Sequence, residues 1–288
     1  MITLPKISVI TPSFNQGPFI EHTILSVISQ QYPHMEFIIL DGGSTDNTVE
    51  IIKKYEKHIS YWHSKKDNGQ AAAINEGFKR ATGGILCWIN SDDMYLPGIF
   101  NRMVGYFTDE RLPRIVFGNS IHLNDQSGKV RGSSVTRSHE RLDISLCDYV
   151  IQPSSFWNRK AWTLTGQLNE AMHFAFDWDW FIRARRAGVD LFPVADYFSI
   201  YRLHSQHKSG SGRNKRIEEL KTIVSTYNDQ RRSKAFGKWM KLYERNYFIS
   251  RFMDVTQRFD LTIPNSLLRW LLFPSLNAKE YKSVIAMK

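Results

Sequence analysis

Cysteine is nearly absent: Cys87 and Cys147 are the only two in 288 residues. Two thiols cannot build a disulfide framework or, by themselves, a thiolate metal site, and they read as reduced residues of a cytosolic protein. Cys87 sits in an apolar run, where a small buried hydrophobe is expected. Long apolar runs are also missing. No stretch approaches the ~20 residues that span a bilayer. The apolar segment Ile7–Ile10 is too short for a signal-peptide core and is closed by Thr11-Pro12. Glycine (17) and proline (10) are too scarce for a collagen-like or low-complexity chain. A content of 42% hydrophobic and 13% aromatic residues excludes disorder, and the length suits one large domain or one domain with an appendage.

Charge is unevenly placed. The chain holds 38 Lys/Arg and 28 Asp/Glu, a net +10. From Lys208 to Lys288 there are 17 basic and 7 acidic residues, so this segment alone carries the whole +10. A nucleic-acid binder would carry its basic surface on the folded recognition domain. Here the charge lies in a tail and speaks to where the protein sits. Nucleic acid is therefore not an expected partner.

The first half alternates strand and helix. Ile7–Thr11, Met35–Asp41, Ile59–His63 and Ile85–Ile89 read as buried strands. Helices are expected over Pro18–Gln31, from a cap at Ser44 or Thr45 to Lys57, and over Gln70–Ala81. Such repetition marks a mostly parallel sheet with helices on both faces, and ligands bind outside the carboxyl ends of its strands. Three of the four strands run into acid-containing loops, at Asp41, at Asp67 and at Asp92-Asp93. Each acid alone is an ordinary turn residue, but three on one rim exceed that expectation. The pair Asp92-Asp93 fits two readings: a turn with both acids in water, or an oxygen-rich seat for Mg²⁺ or Mn²⁺.

Taken together, the motifs resemble those of the family 2 inverting glycosyltransferases, which build bacterial polysaccharides. The resemblance rests on Val9-Ile-Thr-Pro-Ser-Phe-Asn15, Leu40-Asp-Gly-Gly-Ser-Thr-Asp-Asn-Thr48, Lys66-Asp-Asn-Gly-Gln70, Ala73-Ile-Asn-Glu-Gly77 and Asn90-Ser-Asp-Asp93. It continues through Gln152-Pro-Ser-Ser155, Asp177-Trp-Asp-Trp180 and Tyr201-Arg-Leu-His204. It implies a GT-A, Rossmann-like fold over residues 1–210, with a nucleotide-sugar-binding half (1–115) and an acceptor-binding half (116–210). Residues 211–288 would form a helical basic extension.

The resemblance also implies roles. Asp41 would accept from the nucleotide base, and Pro12 with Ser13 to Asn15 would hold base and ribose. Asp67 would support the nucleotide, with Lys66 near the phosphates. Asp93 would bind the divalent metal directly, Asp92 would face the ribose, and His204 would be a metal ligand or a partner of the diphosphate. The family's Glu-Asp pair is Phe176-Asp177 here. Asp177 would be the catalytic base, with Asp179 structural or acceptor-binding. Gln152 and Trp178 would border the acceptor. Trp157, Trp178 and Trp180 would either stack on a sugar or fill the core.

The implied function is sugar transfer from a nucleoside diphosphate to a hydroxyl of a glycan or lipid-linked acceptor. Two rivals compete with it: a nucleotidyltransferase, which would need a Gly-rich basic loop near Thr11–Pro18, and a catalytically dead scaffold with a basic tail. Ser205–Arg213 reads equally as a lid or a linker, and His207 as a surface residue. In the tail, Ile217, Leu220, Ile223, Val224 and Tyr227 form a core-facing helical stripe. Arg231, Arg232, Lys234, Lys238 and Lys241 beside Trp239, Leu242 and Tyr247, and the run Leu267–Phe273, fit attachment to an anionic membrane face. Packing on the catalytic domain or on a second copy fits them as well. The expected location is the cytoplasm, with the inner face of its membrane as the alternative site of the tail.

Overall fold

The computed structural model describes residues 4–109, 111–133, 142–205, 208, 213–245, 269 and 273–286. The chain forms two compact units, one of Met1–Thr136 with Val150–Ser211 and one of Arg137–Tyr149 with Gly212–Lys288.

The first unit is built on β1 (Ile7–Ser13), β2 (Met35–Asp41), β3 (Tyr61–Ser64) and β4 (Ile85–Trp88). They lie in the order β3-β2-β1-β4 and all run parallel. Ile7, Val9, Phe37, Ile39, Ile85 and Cys87 are buried on one face, each removing roughly 1.5–3 kcal/mol worth of apolar surface from water where the side chain is large. Because the four strands are parallel, their carboxyl ends open on one edge. Between them lie α1 (Ile20–Ile28), α2 (Thr48–Lys54) and α3 (Gln70–Arg80). Pro18 falls in the turn before α1, and Asp46, not Ser44 or Thr45, accepts from the Thr48 N–H (3.0 Å) at the start of α2.

Helix α3 is placed tightly. A Cβ at Gly77 would meet Ile10 Cγ2 at 2.5 Å and Leu40 Cδ2 at 3.1 Å, so glycine lets the helix lie against β1 and β2. Asn75, buried on the same helix, donates to the Leu168 carbonyl (3.0 Å) and accepts from its N–H (2.9 Å). These contacts fix Gln70, the first residue of α3, at the open edge.

After β4 come β5 (Met94–Tyr95), α4 (Ile99–Val104), β6 (Arg114–Asn124), β7 (Val130–Gly132), β8 (Ser155–Asn158), α5 (Arg159–Thr165), α6 (Phe176–Arg186) and β9 (Asp190–Leu203). The sheet continues β4-β8-β6-β9-β5, with β8 antiparallel to both neighbours and β9 parallel to β6. Strand β5 pairs antiparallel with β9, Met94 opposite Ile200. That pairing carries the end of β9 to the loop that follows β4.

In the second unit, α7 (Arg213–Tyr227) buries Ile217, Leu220, Ile223 and Val224, and α8 (Gln230–Arg245) buries Phe236, Trp239 and Met240. Helix α9 (Ala278–Ala286) opens with a reciprocal cap: Asn277 Oδ1 accepts from Glu280 N–H, and Glu280 Oε2 from Asn277 N–H, both at 2.9 Å. Trp239 and Phe273 are core residues here, at 1% and 2% exposure, which fits the packing alternative for these two side chains. Tyr247 and most of Leu267–Phe273 lie outside the described residues.

Candidate active site

Strands β1 and β2 end side by side, Ser13 opposite Asp41. The loops that leave them are stitched together. Gly42 N–H donates to the Ser13 carbonyl (2.8 Å), Thr45 N–H to Asn15 Oδ1 (2.9 Å) and Gly17 N–H to Asp46 Oδ2 (2.9 Å). Asn15 takes a left-handed φ of 51°, which Asn tolerates. Pro12 and Ser13 are buried strand residues and offer this rim only backbone, whereas Phe14 between Ser13 and Asn15 is 58% exposed. The exposed group suited to lie on a base is thus Phe14, which corrects the expectation for Pro12 and Ser13.

Asp41 is fully buried, and its carboxylate accepts from Gly43 N–H (3.1 Å), Ser44 N–H (2.9 Å), Ser44 Oγ (2.5 Å) and Ser64 Oγ (2.6 Å). Three of these donors fall on Oδ2 and one on Oδ1, so Asp41 shapes the loop. The acid that remains half-exposed beside it is Asp67. One oxygen of Asp67 accepts from Gly69 N–H (2.8 Å), and the other would lie 3.0 Å from a Cβ on Gly42. Lys66 is exposed next to it.

The loop after β4 separates the two paired acids. Asp93 is 1% exposed, and its Oδ1 accepts from the Arg202 N–H of β9 (3.0 Å). Its carbonyl accepts from Thr23 Oγ1 (2.7 Å). Burial, then the neighbouring Asp92 charge, pushes the Asp93 carboxyl well above the usual carboxylate range, so the protonated form is favoured. Asp92 is the acid that meets His204: Oδ2 lies 3.1 Å from Nε2. The imidazole is held by Phe19, whose ring centroid is 4.1 Å away, and Arg202 Nε donates to the Asp92 carbonyl (3.1 Å). The two acids are thus placed differently. Asp93 ties the loop to β9, and Asp92 pairs with His204.

Beside this pair runs a chain of polar side chains. Lys208 Nζ donates to Gln70 Oε1 (2.8 Å), Gln70 Nε2 to Asn90 Oδ1 (2.7 Å), and Asn90 Nδ2 reaches Gln152 Oε1 (3.5 Å). Gln152 Nε2 ends it on the Trp88 carbonyl (2.7 Å). Gln152 is buried and braces the site floor; it does not border an acceptor as expected. Lys208 Nζ also lies 5.3 Å from the Phe176 ring, which brings the start of α6 to the same place.

At that start the two acids part. Asp177 is half-buried in the first turn. Asp179 is 5% exposed and accepts from Arg183 Nε (2.8 Å), while Arg183 holds the carbonyls of Thr165 (2.8 Å) and Gln167 (2.7 Å). Trp178 has no exposed surface, and Trp157 and Trp180 pack 4.8 Å apart in the core. Of the alternatives expected for them, core packing fits the burial of Trp178, and a structural role fits the contacts of Asp179.

Sequence reasoning gave no role to Gln70, Asn90, Arg202 or Phe19. The first three stand inside the motifs quoted above, so their signal was present but unassigned; Phe19 carried none. His207 and residues 206, 207 and 209–212 of the Ser205–Arg213 loop lie outside the described residues. Among the described residues no helix is long and apolar enough to cross a membrane.

The chain is similar to known proteins in sequence and in fold. The family model of glycosyl transferase family 2 matches residues 8–182. TuaG of Bacillus subtilis, a putative teichuronic acid biosynthesis glycosyltransferase, is 42% identical over 126 residues, 42% of this chain and 49% of that protein. An uncharacterized glycosyltransferase of Mycobacterium tuberculosis, Rv1514c, is 38% identical over 96 residues, 33% of this chain and 37% of that one. The match thus spans half or less of these relatives' lengths. The structure of S. aureus TarS 1-349 in complex with UDP-GlcNAc superposes with a TM-score of 0.63 at 16% identity, covering 97% of this chain and 89% of that one. Mannosyltransferase PcManGT from Pyrobaculum calidifontis, in complex with GDP-Man and Mn²⁺, gives 0.60 at 14% identity, covering 99% and 86%. The fold is the GT-A fold of these structures, and with its family model spanning more than half of its length the chain belongs to glycosyl transferase family 2.

Proposed function

We propose that this enzyme moves a sugar from a nucleoside-diphosphate donor to a hydroxyl of a glycan or lipid-linked acceptor in polysaccharide synthesis, with inversion at the anomeric carbon. The observation that carries the proposal is the meeting of Asp92 and His204, 3.1 Å apart, at the rim where β1, β2 and β4 end. The name of TuaG supports the pathway class, and the UDP-GlcNAc and GDP-Man bound by TarS and PcManGT support the donor class.

The Asp92–His204 pair fits a divalent cation. Asp92 and His204 would hold it between them, since their ligating atoms already meet 3.1 Å apart. A carboxylate oxygen and an imidazole nitrogen suit Mn²⁺ or Mg²⁺. Among the described residues no group of three His, Cys, Asp or Glu gathers, so Asp92 and His204 would be the protein's share of the shell. When bound, the cation supplies Lewis-acid stabilisation to a departing diphosphate.

The chain's own groups do the rest. Phe14 lies against the base and Asp67 supports the nucleotide from the neighbouring loop. Lys208, resting on Gln70, is a cation at the edge where phosphate charge develops. Asp177 takes the proton of the acceptor hydroxyl as its oxygen bonds to the anomeric carbon. The bond from that carbon to the diphosphate oxygen breaks in the same step, and the nucleoside diphosphate leaves with the electron pair. One displacement with one base on the opposite face inverts the centre.

Thermal-shift measurements against UDP, GDP and TDP with Mn²⁺ test the donor reading. Selective stabilisation by one nucleotide, dependent on the metal, is expected. Stabilisation by none of them would contradict it.

A further inference from the structure

The second unit contains a separate pocket of about 310 Å³, lined by Arg231, Lys234, Ala235, Lys238, Phe273, Pro274 and Ser275. That volume is at the lower end of the about 300–1,000 Å³ typical of small-molecule sites. Its polar lining is three cations and one serine. Arg231, Lys234 and Lys238 recur at i, i+3 and i+7 and so share one face of α8, while Phe236, Trp239 and Met240 on the other face are core.

Among the described residues, acids meet the lining at Arg231: Asp229 Oδ2 lies 3.7 Å from its guanidinium, and Glu280 is bonded to it directly. Glu280 is 3% exposed, and its oxygens are taken by Arg231 (2.7 and 2.9 Å), Arg232 (2.7 Å) and the Asn277 N–H (2.9 Å). This contact and the Ser275 carbonyl hold the Arg231 guanidinium in one orientation. Lys238 Nζ is held over the Phe273 ring, 5.4 Å from its centroid. With Arg231 bonded to Glu280, the ammonium groups of Lys234 and Lys238, about one helical turn apart, are the lining cations that match an anion with several acceptor oxygens on a compact centre.

We propose that this pocket between α8 and the turn at 273–275 binds a phosphate group, carried by a lipid headgroup or by a soluble phosphate ester. With Trp239 and Phe273 in the core, contact with a lipid would be at headgroup depth, through charge and without aromatic insertion.

The test uses the full chain and two exposed-lysine variants, Lys234→Glu/Lys238→Glu and Lys234→Gln/Lys238→Gln. Inorganic phosphate is titrated at constant ionic strength with thermal shift as readout. Vesicles of phosphatidylcholine, with and without phosphatidylglycerol, are used in sedimentation. We expect saturable stabilisation of the wild type by phosphate, weakened at least tenfold in both variants, while stabilisation by UDP with Mn²⁺, or by Mn²⁺ alone should UDP not bind, matches the wild type and reports an intact fold. Pelleting with phosphatidylglycerol vesicles that the variants lose would assign the phosphate to a lipid. Phosphate binding lost in the variants without any pelleting would assign it to a soluble ester. A wild type indifferent to phosphate, or variants that respond as the wild type does, would overturn the site.

Discussion

His204 Nε2 lies 3.1 Å from Asp92 Oδ2, although 112 residues separate them in the chain. The contact exists because β9 runs antiparallel to β5 and ends beside the loop that follows β4. Asp93, one residue on, points instead into the protein and takes the Arg202 N–H. Adjacent carboxylates thus have opposite surroundings: one meets the His204 imidazole, the other fastens the strand that delivers it.

Asp177→Asn is expected to lower turnover by about 10²–10⁴-fold, the usual worth of a general base, and to leave nucleotide-sugar affinity within twofold. Steady-state rates with calorimetric donor binding provide the check. A variant of full activity would move the base elsewhere.

Asp179→Asn should behave differently. It breaks the contact with Arg183 that ties α6 to the Thr165–Gln167 turn. A loss of about 1–3 kcal/mol in unfolding free energy is expected, with residual transfer per folded molecule near wild type. Denaturant melts paired with active-site titration measure both.

Gly77→Ala probes the seating of α3. The added methyl would sit 2.5 Å from Ile10 Cγ2, so overpacking should cost about 1–3 kcal/mol despite the gain in helix propensity. Because α3 carries Gln70, donor affinity should fall as well. Unchanged thermal stability would mean that the helix shifts freely.

Acid stability should depend on Glu36 and Glu280. Burial works to raise the Glu36 carboxyl, but hydrogen bonds from Ser8, Thr82 and Lys6 outweigh it and hold it down to about 2. Hydrogen bonds from Arg231 hold Glu280 down to about 2 against burial, helped by the Asn277 N–H. A carboxyl lowered on folding contributes stability that is present above its unfolded value near 4.5 and lost as pH falls toward 2. Glu280→Gln should therefore lower Tm at neutral pH and flatten its decline between pH 5 and pH 2 (about the window between the two values). An unaltered acid limb would contradict the pairing.

The parallel half of the fold was legible because each of its signals is local. The β-branched run Ile7–Ile10 and the apolar Phe37–Leu40 mark buried strands, and their loops carry the acids. Strand β9 was not legible: Asp190–Leu203 contains Pro193 and no alternating pattern, and it becomes a strand through pairing with β6 and β5. The different surroundings of Asp92 and Asp93 depend on that same pairing, so the residues alone could not tell the two acids apart. The surroundings of Asp41 were hidden for a related reason. A carboxylate at a strand end suits a ligand, but Ser44 and Ser64 close over it. In the tail, Arg231 and Arg232 read as free positive surface until Glu280, 49 and 48 residues away, is folded against them.

The most direct test is Mn²⁺ binding followed by electron paramagnetic resonance in the presence of UDP, for the wild type and for Asp92→Asn, Asp93→Asn and His204→Ala. The account predicts that Asp92→Asn and His204→Ala each weaken Mn²⁺ binding by tenfold or more and that Asp93→Asn retains it. Loss of Mn²⁺ in Asp93→Asn with wild-type binding in Asp92→Asn would contradict it.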